Sequence, residues 1–321
     1  MLPLGGTGRR PWGAPLSHAR LIALDWGTSN LRASLLGEGG AVLESRAAAG
    51  GVMAVVERRF AEALMGLCGD WIEQGACPVI ASGMVGSRQG WREAPYVECP
   101  AGLPEVAAQL LRIELTARTS LHIVPGLRCI GFNGQDDVMR GEETQLWGAA
   151  LPAGSCCVLP GTHSKWAWTG EGGEVSRFQT FMTGELYALL TQHGILGRLM
   201  QFGAERPLAF AQGVRLGLAE HASATHAIFA VRTAGLMNRI EPEGLPDFLS
   251  GILIGIEIGS ATHPGAPQHV TLLGDDGLCR RYEAAMAIAG VATARAAEGA
   301  TTRGQWRVAV QAGLVDGRGQ E

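Results

Sequence analysis

The sequence predicts an α/β protein built as two lobes that face each other across a cleft. Three observations predict it. At 321 residues the chain is long for one small core and about right for two. Runs with strand character and runs with helical spacing are mixed throughout, with no single alternating βαβ series. A strand, a loop bearing Gly and Thr, and a second strand occur twice, about 135 residues apart, with no closer internal repeat. The expected lobes are residues 20–150 and 151–321. Residues 1–19 are expected to be a disordered leader, because MLPLGGTGRRPWGAPLSH is rich in Gly and Pro and lacks the apolar stretch of a signal peptide.

Order is expected from residue 20. A short apolar strand over 21–24 runs into the turn DWGTSN, a second strand follows over 31–36, and a third over 41–46 comes after the polar turn GEGG. Apolar residues at helical spacing predict a helix over 55–74. A buried strand over 78–82 then leads into a Gly-rich loop at 83–90. The next expected elements are a helix over 103–111, a strand over 122–124 and a helix over 137–150. The strand 156–159 reaches the loop PGTHSKW and continues over 166–169. Helices are expected over 184–193, 247–258 and 278–289, with a strand at 269–273 ending in Gly274-Asp275-Asp276-Gly277.

A hydrophobic content of 46% supplies apolar side chains for both cores, and the 47 glycines imply many tight turns. The net charge of −4 gives no electrostatic footprint for a nucleic-acid backbone. Seven cysteines, odd in number and without a C-x-x-C pair, read as reduced and buried thiols of a cytoplasmic enzyme. The apolar run over 248–261 is short and interrupted by Glu257, which makes it a buried helix and not a membrane span. His221 and His226 lie five apart without an acidic partner, so no metal site is expected there. Neither G-x-x-x-x-G-K-[ST], nor a strand-linked G-x-G-x-x-G, nor G-x-S-x-G occurs, which argues against P-loop kinases, dinucleotide dehydrogenases and serine hydrolases.

The chemistry is expected in four segments. In DWGTSNLR, an Asp at a strand end precedes Gly27, Thr28, Ser29 and Asn30, whose backbone and hydroxyl groups suit phosphate oxygens. Asp25 would hold Mg²⁺, directly or through water. An ordinary hairpin turn explains the same residues about equally well. In PGTHSKW, Gly161, Thr162 and Ser164 can cradle phosphate while Lys165 neutralises developing charge; alone the loop reads as a plain hairpin, and it gains weight by echoing the first. RGEETQLWGA places Glu142 and Glu143 at a helix start, where acids also simply complement the helix dipole. Neighbouring helical residues point about 100° apart, so one of the two is expected to face the substrate as a general base. Arg140 suits a substrate carboxylate. LLGDDG places Gly274 and Asp275 between a strand and a helix, where backbone can pack on adenosine.

Taken in order, ALDWGTSNLR, ASGMVGSRQGW, EAPYVECP, VPGL, DVMRGEETQLWGA, LPGTHSKW, FMTGEL, FLSGILIGIEI and CRRY resemble the 2-dehydro-3-deoxygalactonokinase family over about residues 21–290. The resemblance implies two ribonuclease-H-like lobes of the sugar kinase, heat-shock protein and actin superfamily closing on ATP. It implies transfer of the ATP γ-phosphoryl group, with Mg²⁺, to the 6-hydroxyl of 2-dehydro-3-deoxy-D-galactonate. By the same resemblance Asp25 and its loop match the first phosphate motif and Gly161 to Lys165 the second, where Pro160 stands in place of a common acid. Glu143 is the first choice of base, Glu142 the second and Asp137 a third. Arg32, Gly83, Met84, Trp91, Tyr96 and Arg140 are expected on the sugar side, and Gly274 and Asp275 on the adenosine side. The expected partners are the sugar acid and ATP, with no nucleic acid or membrane, and a homodimer is left open. The rival readings are another sugar or sugar-acid kinase of the superfamily and a non-enzymatic ATP-binding regulator or chaperone. A regulator would need a DNA-binding module and a chaperone a substrate domain, and neither is legible in the chain.

Overall fold

The structure is a computed structural model and describes residues 18–317, apart from 76, 132, 263, 264 and 266. The expected leader therefore lies almost wholly outside the described residues.

β1 (Leu21–Trp26) is buried along its length except at Asp25, as expected for the middle strand of a covered sheet. It pairs antiparallel with β2 (Leu31–Leu36), which pairs antiparallel with β3 (Val42–Ala48). After α1 (Phe60–Gln74), β4 (Val79–Ser82) joins β1 in parallel, so that Asp25 stands opposite Arg32 on one side and Ser82 on the other. β5 (Tyr96–Glu98), α2 (Leu103–Ala107), β6 (Leu111–Glu114), β7 (Ser120–Ile123), β8 (Gly126–Ile130) and β9 (Asp136–Met139) complete the first half. Its main sheet runs β3-β2-β1-β4-β7-β6, and β5-β8-β9 form a small second sheet.

α3 (Glu142–Ala149) leads to β10 (Cys156–Leu159), β11 (Ser164–Thr169) and β12 (Val175–Phe181). Beyond them come α4 (Thr183–Gln192), α5 (Pro207–Ala219), α6 (Ala224–Leu236), α7 (Leu245–Thr262), β13 (His269–Leu272), α8 (Asp276–Ala289), β14 (Ala292–Arg295) and α9 (Ala300–Gln311). Here the sheet runs β12-β11-β10-β13-β14. Both sheets thus place an antiparallel three-strand meander first and add parallel strands on the far side of strand one. This is the duplicated ribonuclease-H-like arrangement of an actin-like ATPase, and it accounts for the loop echo in the sequence. In sheets with parallel strands, ligands gather beyond the carboxyl ends. The ends of β1, β4, β10 and β13 open onto one cleft of ≈ 770 Å³.

Several elements differ from expectation for local reasons. α1 starts at Phe60 because Glu57 and Arg58 hold positive φ values of 51° and 57°, which no helix accepts. The expected helix over 137–150 divides into β9 and α3, because Gly141 sits at φ +108° between them. α2 stops at Ala107, and Leu111 opens the edge strand β6. α7 has the length and hydropathy of a membrane span, yet 83% of that window is buried inside the protein, as expected for a core helix. The seven cysteines are free thiols.

The last helix returns to the first sheet. Gln305 is fully buried, and its Nε2 donates to the Leu24 carbonyl at 2.6 Å and to Ser82 Oγ at 2.9 Å. Arg303 and Arg307 of α9 donate to the carbonyls of Gly148 and Trp147 at the end of α3. α9 therefore lies in the part of the chain expected to form the second lobe but packs on the first.

Candidate active site

The first loop is a tight hairpin: the Gly27 N–H donates to the Asn30 carbonyl at 3.0 Å. Gly27 and Thr28 border the cleft, whereas Ser29 and Asn30 are exposed beside it and do not line it. Asp25 lies at the cleft floor with Arg32 Nη1 3.7 Å from its Oδ2. Burial pushes the Asp25 carboxyl above its ordinary value, and the Arg32 charge works against that rise.

The second loop is held from behind by α4. The Glu185 N–H donates to the Thr162 carbonyl at 3.0 Å, and a side chain at Gly184 would lie 2.5 Å from the Gly161 carbonyl. Gly161, Thr162 and His163 border the cleft, and His163 Nε2 pairs with Glu185 at its rim. Ser164 departs from its expected role. It is fully buried on the opposite side, 2.8 Å from the Tyr282 hydroxyl, because strand residues alternate in direction and this one points into the second core. Lys165 does not border the cleft. Its Nζ is buried between the His163 carbonyl at 2.9 Å and Glu142 Oε1 at 3.1 Å.

The acid pair divides sharply. Glu142 lines the cleft, and its Oε2 accepts from the Arg140 N–H at 3.1 Å. Glu143 is wholly buried, accepting from the Gly141 N–H at 2.6 Å and from Thr144 Oγ1 at 3.1 Å. The first-choice base thus faces the core and the second choice faces the cleft. Asp137 is engaged elsewhere: its carboxylate accepts from the Thr180 N–H at 2.7 Å and the Thr180 hydroxyl at 2.6 Å.

On the expected sugar side, Gly83 and Met84 line the cleft. Gly83 has φ +93°, and a Cβ there would meet the Trp26 carbonyl at 2.9 Å. Arg140 lines it too and is nine-tenths buried. Its Nη2 donates to the Ala94 carbonyl at 2.8 Å, while Nε and Nη1 have no acceptor among the described residues. Tyr96 stands outside the cleft and contributes through its ring, 4.3 Å from the Arg140 guanidinium carbon. Trp91 packs into the first core, stacked on Phe60 at 6.1 Å and edge-on to Trp26 at 6.4 Å, so it supports the Gly-rich loop from behind.

Gly274 and Asp275 border the cleft from the second lobe. Asp275 caps α8, its Oδ1 accepting from the N–H groups of Gly277 at 2.8 Å and Leu278 at 3.1 Å. Beside them an apolar slot of ≈ 150 Å³ opens between α4, α7 and α8, lined by Tyr187, Leu253, Ile254 and Leu278, and it shares Gly161 with the main cleft. Sequence reasoning missed Thr301, Thr302 and Gln305, which line the cleft from the first turns of α9. They lie far along the chain from the two loops read as phosphate-binding, in a stretch with no motif. Among the described residues no group of three or more His, Cys, Asp or Glu gathers to hold a metal.

A model of the 2-keto-3-deoxy-galactonokinase family matches residues 25–308, from the cleft aspartate to the last helix. The chain belongs to that family. It is 39% identical to the 2-dehydro-3-deoxygalactonokinase of Escherichia coli (strain K12) over 269 residues, covering 83% of this chain and 89% of that one. It is 40% identical over 271 residues to a Rhizobium meliloti (strain 1021) protein assigned the same name, covering 82% of this chain and 88% of that one. A crystal structure of a Sinorhizobium meliloti protein, also assigned as a 2-dehydro-3-deoxygalactonokinase, superposes with a TM-score of 0.83 at 37% identity, over 90% of this chain and 98% of that one. The kinase family implies ATP as phosphate donor, and both phosphate loops and the acid at the start of α3 fall inside the matched range.

Proposed function

We propose that the chain is an ATP-dependent kinase that phosphorylates the 6-hydroxyl of 2-dehydro-3-deoxy-D-galactonate. The observation that carries the substrate class is Arg140. A guanidinium buried in a cleft, with two unpaired N–H-bearing nitrogens and no carboxylate within salt-bridge distance among the described residues, fits a ligand that brings its own carboxylate. A neutral hexose would leave that charge buried and unpaired.

The triphosphate is taken by Gly27, Thr28, Gly161 and Thr162, with the adenine in the slot beside Tyr187 and Leu278. Asp25 is the hard oxygen ligand suited to Mg²⁺, which commonly takes one or two protein carboxylates and completes its shell with waters and phosphate oxygens. When bound, the ion neutralises charge on the phosphates. Glu142 is the general base. The 6-hydroxyl oxygen bonds to the γ-phosphorus as the bond from that phosphorus to the bridging oxygen breaks. ADP leaves with that electron pair, and the hydroxyl proton passes to Glu142.

The test is an ADP-release assay over a panel of 2-keto-3-deoxy acids, aldonates and hexoses, for the wild type and Arg140→Gln. Fast turnover of the keto-deoxy acid is expected, with its KM raised at least ~10-fold in Arg140→Gln and the KM for ATP little changed. Fast turnover of a hexose and none of the keto-deoxy acids would sink the assignment.

A further inference from the structure

Lys165 lies on the second phosphate loop but not where a phosphate ligand would stand. Its side chain retains 4% exposure, and its ammonium has two acceptors, the His163 carbonyl at 2.9 Å and Glu142 Oε1 at 3.1 Å. Burying an ammonium is costly unless it is paired and hydrogen-bonded, and fixing the four-carbon stem adds lost rotamer entropy. The paired carboxylate is three-quarters buried and belongs to a different lobe: Glu142 opens α3, whereas Lys165 lies on β11. The charged groups around the pair are Glu143 and Arg140 from the α3 side, His163 with Glu185 at the rim, and Asp25 with Arg32 on the cleft floor. Arg140 meets Glu142 through its backbone N–H, which holds Oε2. Lys165 is therefore the cation on Glu142.

We infer that Lys165 is a positioning residue, which fixes the Glu142 carboxylate against the acceptor hydroxyl and ties that carboxylate to the second lobe. This rests on Glu142 being the base. Each Glu142 oxygen has two acceptor sites, one of them taken by Lys165 or by the Arg140 N–H, so both oxygens keep a site for a hydroxyl proton. The base is then set only when the lobe bearing the acid and the lobe bearing the second phosphate loop stand in register.

The experiment compares Lys165→Met, Lys165→Arg and Glu142→Gln in the full-length protein, with kcat and both KM values measured on the keto-deoxy acid, and thermal melting with and without ATP as a check on folding. Lys165→Met is expected to lower kcat about 100-fold while the KM for ATP moves less than about threefold. Lys165→Arg, which keeps the charge, is expected to recover most of the lost kcat. A KM for ATP raised tenfold with kcat intact would make Lys165 a phosphate ligand and overturn the inference. So would a folded Lys165→Met with wild-type kcat, or an Arg variant no better than the Met variant. Should Lys165→Met fail to fold, Lys165→Gln, which can still donate to the His163 carbonyl, takes its place with the same expectations. Glu142→Gln separates the two levels. Wild-type turnover in that variant removes Glu142 as the base. An inactive Glu142→Gln beside an unaffected Lys165→Met leaves the base standing and removes only the role of the lysine.

Discussion

Burial pushes the Glu143 carboxyl up to about 8, the neighbouring Glu142 charge adds to the rise, and the hydrogen bonds from Gly141 and Thr144 only partly offset it. The folded value lies above the ordinary one of 4.5, so between the two the unfolded chain binds fewer protons than the folded protein. Stability contributed by the neutral acid is full below that window and falls as pH rises through it, by at most ~1.4 kcal/mol per pH unit. Glu143→Gln keeps the shape and an acceptor oxygen but does not titrate. Its melting temperature is therefore expected to gain on the wild type steadily from about pH 5 to about pH 8; a constant difference across that range would show that the folded protein already holds Glu143 ionised. The sequence could show that only one of two adjacent helical acids faces a cleft. It could not show which one, because that depends on Gly141, whose φ of +108° sets the angle at which α3 leaves β9.

At the scale of elements, the second phosphate loop is anchored by a buried polar chain. Ser164 on β11 meets the Tyr282 hydroxyl on α8, which donates to Glu257 on α7 at 2.6 Å; the Trp166 indole donates to the same carboxyl at 2.9 Å, and Thr183 of α4 reaches it as well. Four elements thus meet on one acid, whose carboxyl burial raises above its ordinary value. Tyr282→Phe removes the link between Ser164 and Glu257 and is expected to destabilise the protein by about 1–3 kcal/mol, read as a lower melting temperature. An unchanged melting temperature would mean that the hydroxyl carries no part of the anchor. The strands flanking the two loops, β1, β2, β10 and β11, were legible because their cues are local: an apolar run, then Asp-x-Gly-Thr or Pro-Gly-Thr; β5, β6, β8, β9, β12 and β14, which carry no such cue, were not. α5 was not predicted, although GVRLG and GILIG carry a signal in their paired glycines. A Cβ on Gly213 or Gly251 would lie 2.2 Å from the backbone of the facing helix, so α5 and α7 touch through these glycines. Such spacing marks a helix contact only once the partner is known.

Across the whole molecule, the end of the chain returns to the first lobe where α3 crosses α9. A Cβ on Gly304 would lie 1.8 Å from the Thr144 carbonyl, and one on Gly148 1.7 Å from the Ala300 carbonyl, so the helices meet backbone to backbone. Nothing in WGA or RGQW marks these glycines apart from the many that serve turns, and a division of the chain at residue 150 hides the return of α9 to the first sheet. The crossing governs the site at both ends. α3 begins with Glu142, and α9 carries Gln305, which grips the carbonyl just before Asp25 and the Ser82 hydroxyl opposite it. Forcing the helices apart must therefore shift Glu142 and Asp25 relative to each other, although neither is altered. Gly304→Ala is expected to cost about 1–3 kcal/mol of stability by overpacking and to lower kcat/KM at temperatures where the variant is still folded. Both are checked by melting curves and steady-state rates on one preparation. If the variant loses stability but a folded sample keeps wild-type kcat/KM, the crossing is only a brace; if both fall together, the crossing sets the geometry of the reaction.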